Sequence, residues 1–443
     1  MSGATDFAVQ EKTTKQVRSK RVRKVFLKVL LALLIIIAII TAATVIANAI
    51  CLKIDVDRAR SYQDAGCAQL DYEVLDNGYV QINSNDGLNV LDLTDVHIGG
   101  GWISVEKDAK AINAVATMIT EEKPDLVVVT GDIAFPVPYR SGTLNNKSGA
   151  KIFAELMESL GVYWTLAYGN HDTEAYSYYS REDISEFYMN GDYPHCLFQP
   201  GPDNVDGSGN QVLNIVNDDG IITRSLILLD SHSYVDGDIL GLNWYYDNIH
   251  DNQIEWYSSV VDDLKHRNIE AAAKLSAEAS EKYSQLCQSV PSSVFFHIPM
   301  EEYKTAWTEY GQNDYNDTEN VKYNYGVPGE SGLVVYSGMH PDNMFETMLE
   351  KESTDSVFCG HDHFNNFSLN YKGIDLTYGF SIDYLAYADI DEIGSQRGCT
   401  PIKYGPLGEI EYSGENYYQE KYDNEKREEV TLQEMTTQAA PEK

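Results

Sequence analysis

The chain has 443 residues, 68 of them acidic and 33 basic, for a formal charge of −35. That length suits one large domain or two ordinary ones, and 43% hydrophobic residues are enough for a sizeable core. No fixed-period repeat is present, which excludes a solenoid. The acidic field repels polymer DNA and RNA, so a nucleic acid partner is not expected.

The first element is at the front. Residues 1–28 form a basic tail with eight Lys or Arg and two acidic residues, so the chain after it carries −41. Residues 29–50, "VLLALLIIIAIITAATVIANAI", are uncharged and long enough to cross a hydrocarbon core of roughly 30 Å as a helix. Basic residues ahead of the run predict a single-pass anchor with a cytoplasmic N-terminus and an extracellular remainder. A cleaved signal sequence is the alternative, with Ala47–Ala49 as its small-x-small site. The run exceeds the usual h-region of about 7–15 residues, which favours retention. The six cysteines are irregularly spaced with no CxxC pair, which argues against a zinc ribbon and leaves disulfide pairing open.

Residues 51–85 read as a tether and a first strand, residues 86–410 as the main domain, and residues 411–443 as an acidic, disordered tail. Within the domain, "LNVLDLT" is a strand and "VEKDAKAINAVATMITEE" an amphipathic helix. "PDLVVVT" and "VYWTLA" are buried strands, with the turn-rich loop 136–148 and the helix "AKIFAELMESL" between them. "SLILLD", "SSVFF" and "DSVFC" are further strands, and "DNQIEWYSSVVDDLKH" is helical. Residues 301–335 read as a polar, Tyr-rich loop, and "NNFSLNYKGIDLTYGF" as a hairpin. Apolar strands alternating with helices define an α/β architecture.

Five of these strands deliver polar ligands at their C-terminal ends, the edge at which α/β sheets build sites. They supply Asp95 and His97 from "DVH", Asp132 from "GD", Asn170, His171 and Asp172 from "GNHD", His297 after "VFF", and His361 and His363 from "GHDH". Residues two apart on an extended chain face one side, which pairs Asp95 with His97 and His361 with His363. Glycines before Asp132, Asn170 and His361 mark sharp turns or close approaches. Nitrogen and oxygen ligands without thiolate suit Zn, Mn or Fe. Seven candidate ligands exceed one tetrahedral ion and suit two, a pair arranged for phosphoryl-ester chemistry. Such a centre keeps a local charge near +1 despite the acidic exterior.

The ordered motifs resemble the calcineurin-like metallophosphoesterase superfamily. "SREDISEFY", "LLDSHSY", "FFHIPMEEY" and "VFCGHDHFNNF" resemble its branch of purple-acid-phosphatase-related phosphatases. The resemblance implies a four-layer α/β/β/α sandwich with a centre of two divalent or trivalent metal ions at one edge. Asp95, His97, Asp132 and His363 would hold one metal; Asp132, Asn170, His297 and His361 would hold the other. His171 would assist the leaving group, with Asp172 either orienting it or bonding nearby backbone. A hydroxide held between the metals would attack phosphorus, making the chain a phosphatase acting on small phosphate monoesters. A phosphodiesterase acting on nucleotides or lipid head groups is the alternative, and a non-catalytic binding protein on the same fold a third. One position departs from the purple enzymes: "GDIAF" has Phe135 where they carry an iron-binding Tyr, which predicts a colourless protein. The aromatic loops 173–189, 233–246 and 303–326 are expected at the substrate rim, and Asn146, Asn316 and Asn366 head glycosylation sequons.

Overall fold

The β-branched and aromatic runs fold as strands buried on both faces, and the amphipathic segments between them fold as helices that cover those faces. The computed structural model of the chain describes residues 3–330, 334–388, 390, 397–425 and 431–438. Two units are distinguished, residues 1–50 and residues 51–443. The first belongs to α1 (Gly3–Ala59). The stretch Val17–Ala59 is, among the described residues, the one helix long and apolar enough to cross a membrane. Its side chains from Val29 to Ile40, including Leu30, Ile36 and Ile40, are exposed.

The second unit is built on two sheets. In chain order its elements are β1 (Tyr72–Val74), β2 (Val80–Asn83), β3 (Leu88–Leu93), α2 (Val105–Glu122), β4 (Leu126–Thr130), α3 (Pro138–Ser141), α4 (Asn146–Leu160), β5 (Tyr163–Ala167) and α5 (Arg181–Asn190). There follow β6 (Gln211–Val216), β7 (Ile222–Leu228), α6 (Asp251–Ala272), α7 (Ala277–Lys282), β8 (Ser292–Phe295), α8 (Glu301–Gln312), β9 (Val321–Tyr325), α9 (Met344–Lys351) and β10 (Thr354–Cys359). The chain ends with β11 (Ser368–Tyr371), β12 (Ile374–Tyr378), β13 (Gly398–Tyr404), β14 (Ile410–Tyr412), β15 (Glu415–Asn416) and α10 (Leu432–Gln438). One sheet has the order β1-β2-β6-β7-β8-β10-β12-β11-β9, and the other β14-β13-β3-β4-β5 with β15 on β13.

Facing side chains of the two sheets interlock. Val90, Val128 and Ile402 of one meet Leu213, Leu226, Phe295 and Phe358 of the other. Outside the smaller sheet, Ile112, Val115 and Ile119 of α2 and Phe153 and Leu156 of α4 cover Leu91, Val127 and Trp164. Outside the larger sheet, Tyr257, Val260 and Leu264 of α6, Tyr303 of α8 and Met348 of α9 cover Ile227, Val294 and Val357. The result is the four-layer α/β/β/α sandwich. Each fully buried side chain of this kind contributes about 1.5–3 kcal/mol.

Two consequences position the site. Strands β3, β4 and β5 are parallel, and so are β7, β8, β10 and β12. The C-terminal ends of these seven strands therefore open onto one edge of the sandwich.

Three sequence expectations need correction. The tail does not begin at residue 411: β14 and β15 pair with β13, and Tyr417, Tyr418 and Tyr422 are buried against the α2 layer. Residues 301–335 include α8, whose Tyr303, Trp307 and Tyr310 lie one helical face apart and are buried. Tyr303 donates to the carbonyls of Val357 and Thr377, so this face of α8 is packing and not a substrate rim. The loop 136–148 holds the short α3 and the start of α4. All six cysteines are free, Cys359 and Cys399 buried. Of the sequons, Asn146 and Asn366 are buried in hydrogen bonds to backbone, whereas Asn316 is exposed.

Candidate metal centre

All seven ligand candidates lie at this edge, and all are buried. Asp95, His97, Asp132 and His363 offer ligand atoms within 4.8 Å of one another. Asp132 stands between two groups of side chains: its Oδ2 is 3.1 Å from His97 Nε2 and 3.2 Å from His297 Nε2. On the His297 side, Asn170 Oδ1 lies 3.2 Å from His297 Nε2 and 3.0 Å from His361 Nδ1. On the other, Asp95 Oδ1 lies 3.2 Å from His363 Nε2. That last pair is close yet misaligned, and the buried Asp95 Oδ1 has no hydrogen-bond partner. A buried carboxylate oxygen left open costs about 1–3 kcal/mol or more. Several nitrogen and oxygen donors crowded within hydrogen-bonding reach, with one buried carboxylate oxygen left open, fit ligands of a bound cation.

The backbone is strained where it delivers these groups. Asp95, His97, Asp132 and His361 have φ of 51°, 52°, 57° and 76°, in the left-handed region. Such conformations concentrate at functional sites. The preceding glycines answer to close approach. A Cβ on Gly169 would sit 2.1 Å from Asp132 Oδ1, and one on Gly360 would sit 1.9 Å from Thr94 Oγ1 and 2.8 Å from Asp95 Oδ2.

Electrostatics follow from burial among opposite charges. Burial opposes the ionised form of Asp132, but His297 and His171 hold its carboxyl well below the usual range. Asp172 is pushed up to about 6 by burial and by Asp132. Asp362 is pushed up to about 8, mainly by burial, and accepts from Tyr378 Oη at 2.6 Å. It is therefore engaged by Tyr378 and by the backbone N–H of Tyr336 instead of by the ligand cluster.

The structure separates the two open roles of Asp172. Its carboxylate accepts from the backbone N–H groups of Asp132, Ala134 and Gly169 at 2.9–3.0 Å. It positions the loops that carry Asp132 and Asn170, and its pairing with His171 as a catalytic residue is corrected. His171 instead pairs through Nδ1 with Glu174 Oε1 at 2.6 Å. The Phe135 ring packs against both His97 and His171, with centroids 4.6 and 4.7 Å apart.

Sequence reasoning missed two carboxylates. Glu174 lies three residues after His171, the reach of one turn. Asp383 follows β12, whose end shares the ligand edge because β12 is parallel to β10. Its Oδ1 is 3.1 Å from His97 Nδ1, and its Oδ2 is 3.8 Å from His363 Nδ1. The parallel pairing is the signal that could have found it. Tyr234 and Tyr246, in the loop 233–246, also reach the site: Asn170 Nδ2 donates to Tyr234 Oη at 3.2 Å, and Tyr246 lies edge-on to His361 at 4.3 Å. A second cluster, His232, Asp247 and His250, has its nitrogens engaged by Gln253, Asp206 and Asp247.

The chain belongs to the calcineurin-like phosphoesterase family, whose model matches residues 88–365. It is similar to a protein of Arabidopsis thaliana named probable inactive purple acid phosphatase 14, with 27% identity over 70% of this chain and 74% of that one. It is also similar to phosphatase DCR2 of Saccharomyces cerevisiae, with 26% identity over 67% of this chain and 47% of the yeast protein. A solved dimetal phosphatase from Danio rerio aligns over 75% of this chain and 97% of its own, at 10% identity and a TM-score of 0.43.

Proposed function

We propose that this chain is an active dimetal phosphatase that hydrolyses phosphate monoesters, tethered to a membrane by α1 with its N-terminus cytoplasmic and residues 51–443 extracellular. The observation that carries the reading is the complete set of seven buried ligand groups converging about Asp132. Asp95, His97, Asp132 and His363 would hold one metal, and Asp132, Asn170, His297 and His361 the other. When bound, the two ions (Zn, Mn or Fe) supply Lewis acidity and an activated water at neutral pH.

The chain's own groups do the rest. Asp383 places its carboxylate beside the outer nitrogens of His97 and His363, at 3.1 and 3.8 Å, while their Nε2 atoms face Asp132 and Asp95. Glu174 engages His171 Nδ1, which leaves Nε2 to hand a proton to the departing alcohol. His171 is 22% exposed, against 0–6% for His97, His297 and His363, so it stands at the mouth where a leaving group departs. Phe135 offers no ligand atom, and the protein is expected to lack the visible band of a tyrosinate–ferric centre.

Metal content and rate separate these roles. Asp132→Asn is expected to lose metal and all turnover. His171→Ala is expected to keep both metals and to lose about 10²–10⁴-fold in rate. Loss of a metal from His171→Ala would contradict the assignment.

A further inference from the structure

The loop between Tyr234 and Tyr246 is built firmly and points outward. Its ends form an antiparallel bridge with stacked rings 5.6 Å apart, both at the metal centre through Asn170 and His361. Val235 N donates to Tyr245 O at 2.9 Å. Asp238 organises the interior: its carboxylate accepts from Asn243 N, Asn243 Nδ2 and Tyr245 N, each at 3.0 Å. The apolar side chains are left outside. Ile239, Leu242 and Trp244 are 72%, 73% and 69% exposed, and Leu240 and Tyr245 are 48% and 45% exposed. Single exposed apolar residues need no explanation, but five among seven consecutive positions form a patch that does. Leu240 and Trp244 are also held at φ 58° and 55°, an uncommon conformation for bulky residues.

The composition selects the occupant. Trp, Tyr and aliphatic residues together suit the water–hydrocarbon boundary of a bilayer. Residues 231–250 contain no Lys or Arg, and the chain beyond residue 28 carries −41. A surface of mostly neutral head groups is therefore favoured over one crowded with anionic lipid, and a phosphate-bearing substrate lipid would be drawn in at the metal centre rather than by this loop. The chain also brings its own membrane segment. The candidate span at residues 29–50 is joined directly in sequence to the unit of residues 51–443.

We infer that Ile239–Tyr245 is an interfacial loop that inserts into a neutral bilayer surface, and that the substrate is a phosphate monoester carried on a membrane lipid. The substrate class rests on the phosphoesterase reading; the bilayer contact does not. In the reaction water gives its oxygen to phosphorus, the bond between phosphorus and the lipid oxygen breaks, the lipid alcohol takes a proton, and inorganic phosphate leaves into water.

The test uses the full chain reconstituted in phosphatidylcholine bilayers, with phosphatidate in the membrane or a soluble chromogenic monoester outside. Ile239→Asp with Leu242→Asp is expected to lower phosphatidate turnover at least tenfold and to change soluble-ester turnover less than twofold. Brominated phosphatidylcholine is expected to quench the fluorescence that Trp244→Phe removes, and the double variant to lose that quenching. Equal effects on both esters, or no quenching of Trp244, would overturn the inference. So would concentration-dependent self-association that the double variant abolishes, since the patch would then join two copies. Quenching without turnover of either ester would retain the interfacial loop and sink the phosphoesterase reading instead.

Discussion

Asp383 and Glu174 show what a single side chain contributes at this site. Neither is expected to touch substrate; each fixes an imidazole. Asp383→Asn is expected to weaken metal affinity about 10–100-fold, measured by chelator competition, because the amide no longer places a negative charge beside His97 and His363. Glu174→Gln is expected to leave metal content unchanged and to lower kcat more than it changes KM, since the carboxylate that orients the His171 ring is gone. Unchanged affinity in the first, or unchanged kcat in the second, would remove those roles. The seven ligand candidates were legible in the sequence because each follows an apolar strand within a few residues. Asp383 and Glu174 were not. Asp383 comes five residues after its strand, beyond a segment read only as a hairpin, and Glu174 depends on a loop closing back on His171.

At the scale of elements, the strands were readable because burial on both faces leaves continuous apolar runs. Helix α8 was not, because its buried face is made of Tyr and Trp among charges and resembles a binding loop. Its first turn also carries a pH effect. Burial, with Glu346, Asp342 and Glu301 nearby, raises the Glu302 carboxyl to about 7 against the pull of a backbone N–H. A carboxyl raised in the folded state contributes stability that is complete below its unfolded value of 4.5 and is lost as pH rises through about 7. Glu302→Gln is therefore expected to raise Tm at pH 8 and to leave it unchanged at pH 4; the reverse pattern would contradict the burial argument. The C-terminal segment was misread because β14 and β15 have three and two residues, too few for a period, and its tyrosines alternate with charge. Ending the chain after Tyr412 removes β15 and the buried Tyr417, Tyr418 and Tyr422. The loss is on the order of 5 kcal/mol, enough to unfold a typical domain. A truncated protein with unchanged Tm would restore the disordered-tail reading.

For the whole molecule, charge and centre act in opposite senses. The −41 exterior keeps polyanions away, while the proposed pair of cations at Asp95 and Asp132 would offer a small phosphate a local positive site. The ligand edge followed from motif position and the α/β/β/α layering from the family resemblance; the directions of β7, β8, β10 and β12, which bring two further strand ends to the edge, needed the sheet itself. Sidedness is tested by protease added to intact cells: cleavage of residues 51–443 from outside is expected, and protection would reverse the topology.

The most direct test of the dimetal phosphatase is hydrolysis of a chromogenic phosphate monoester beside its matching diester by the purified full chain in detergent, with Mn or Zn supplied and then chelated. The expected result is chelator-sensitive turnover with the monoester preferred. Turnover of neither ester by protein that retains two bound metals would contradict it and identify a binding protein on a phosphoesterase fold.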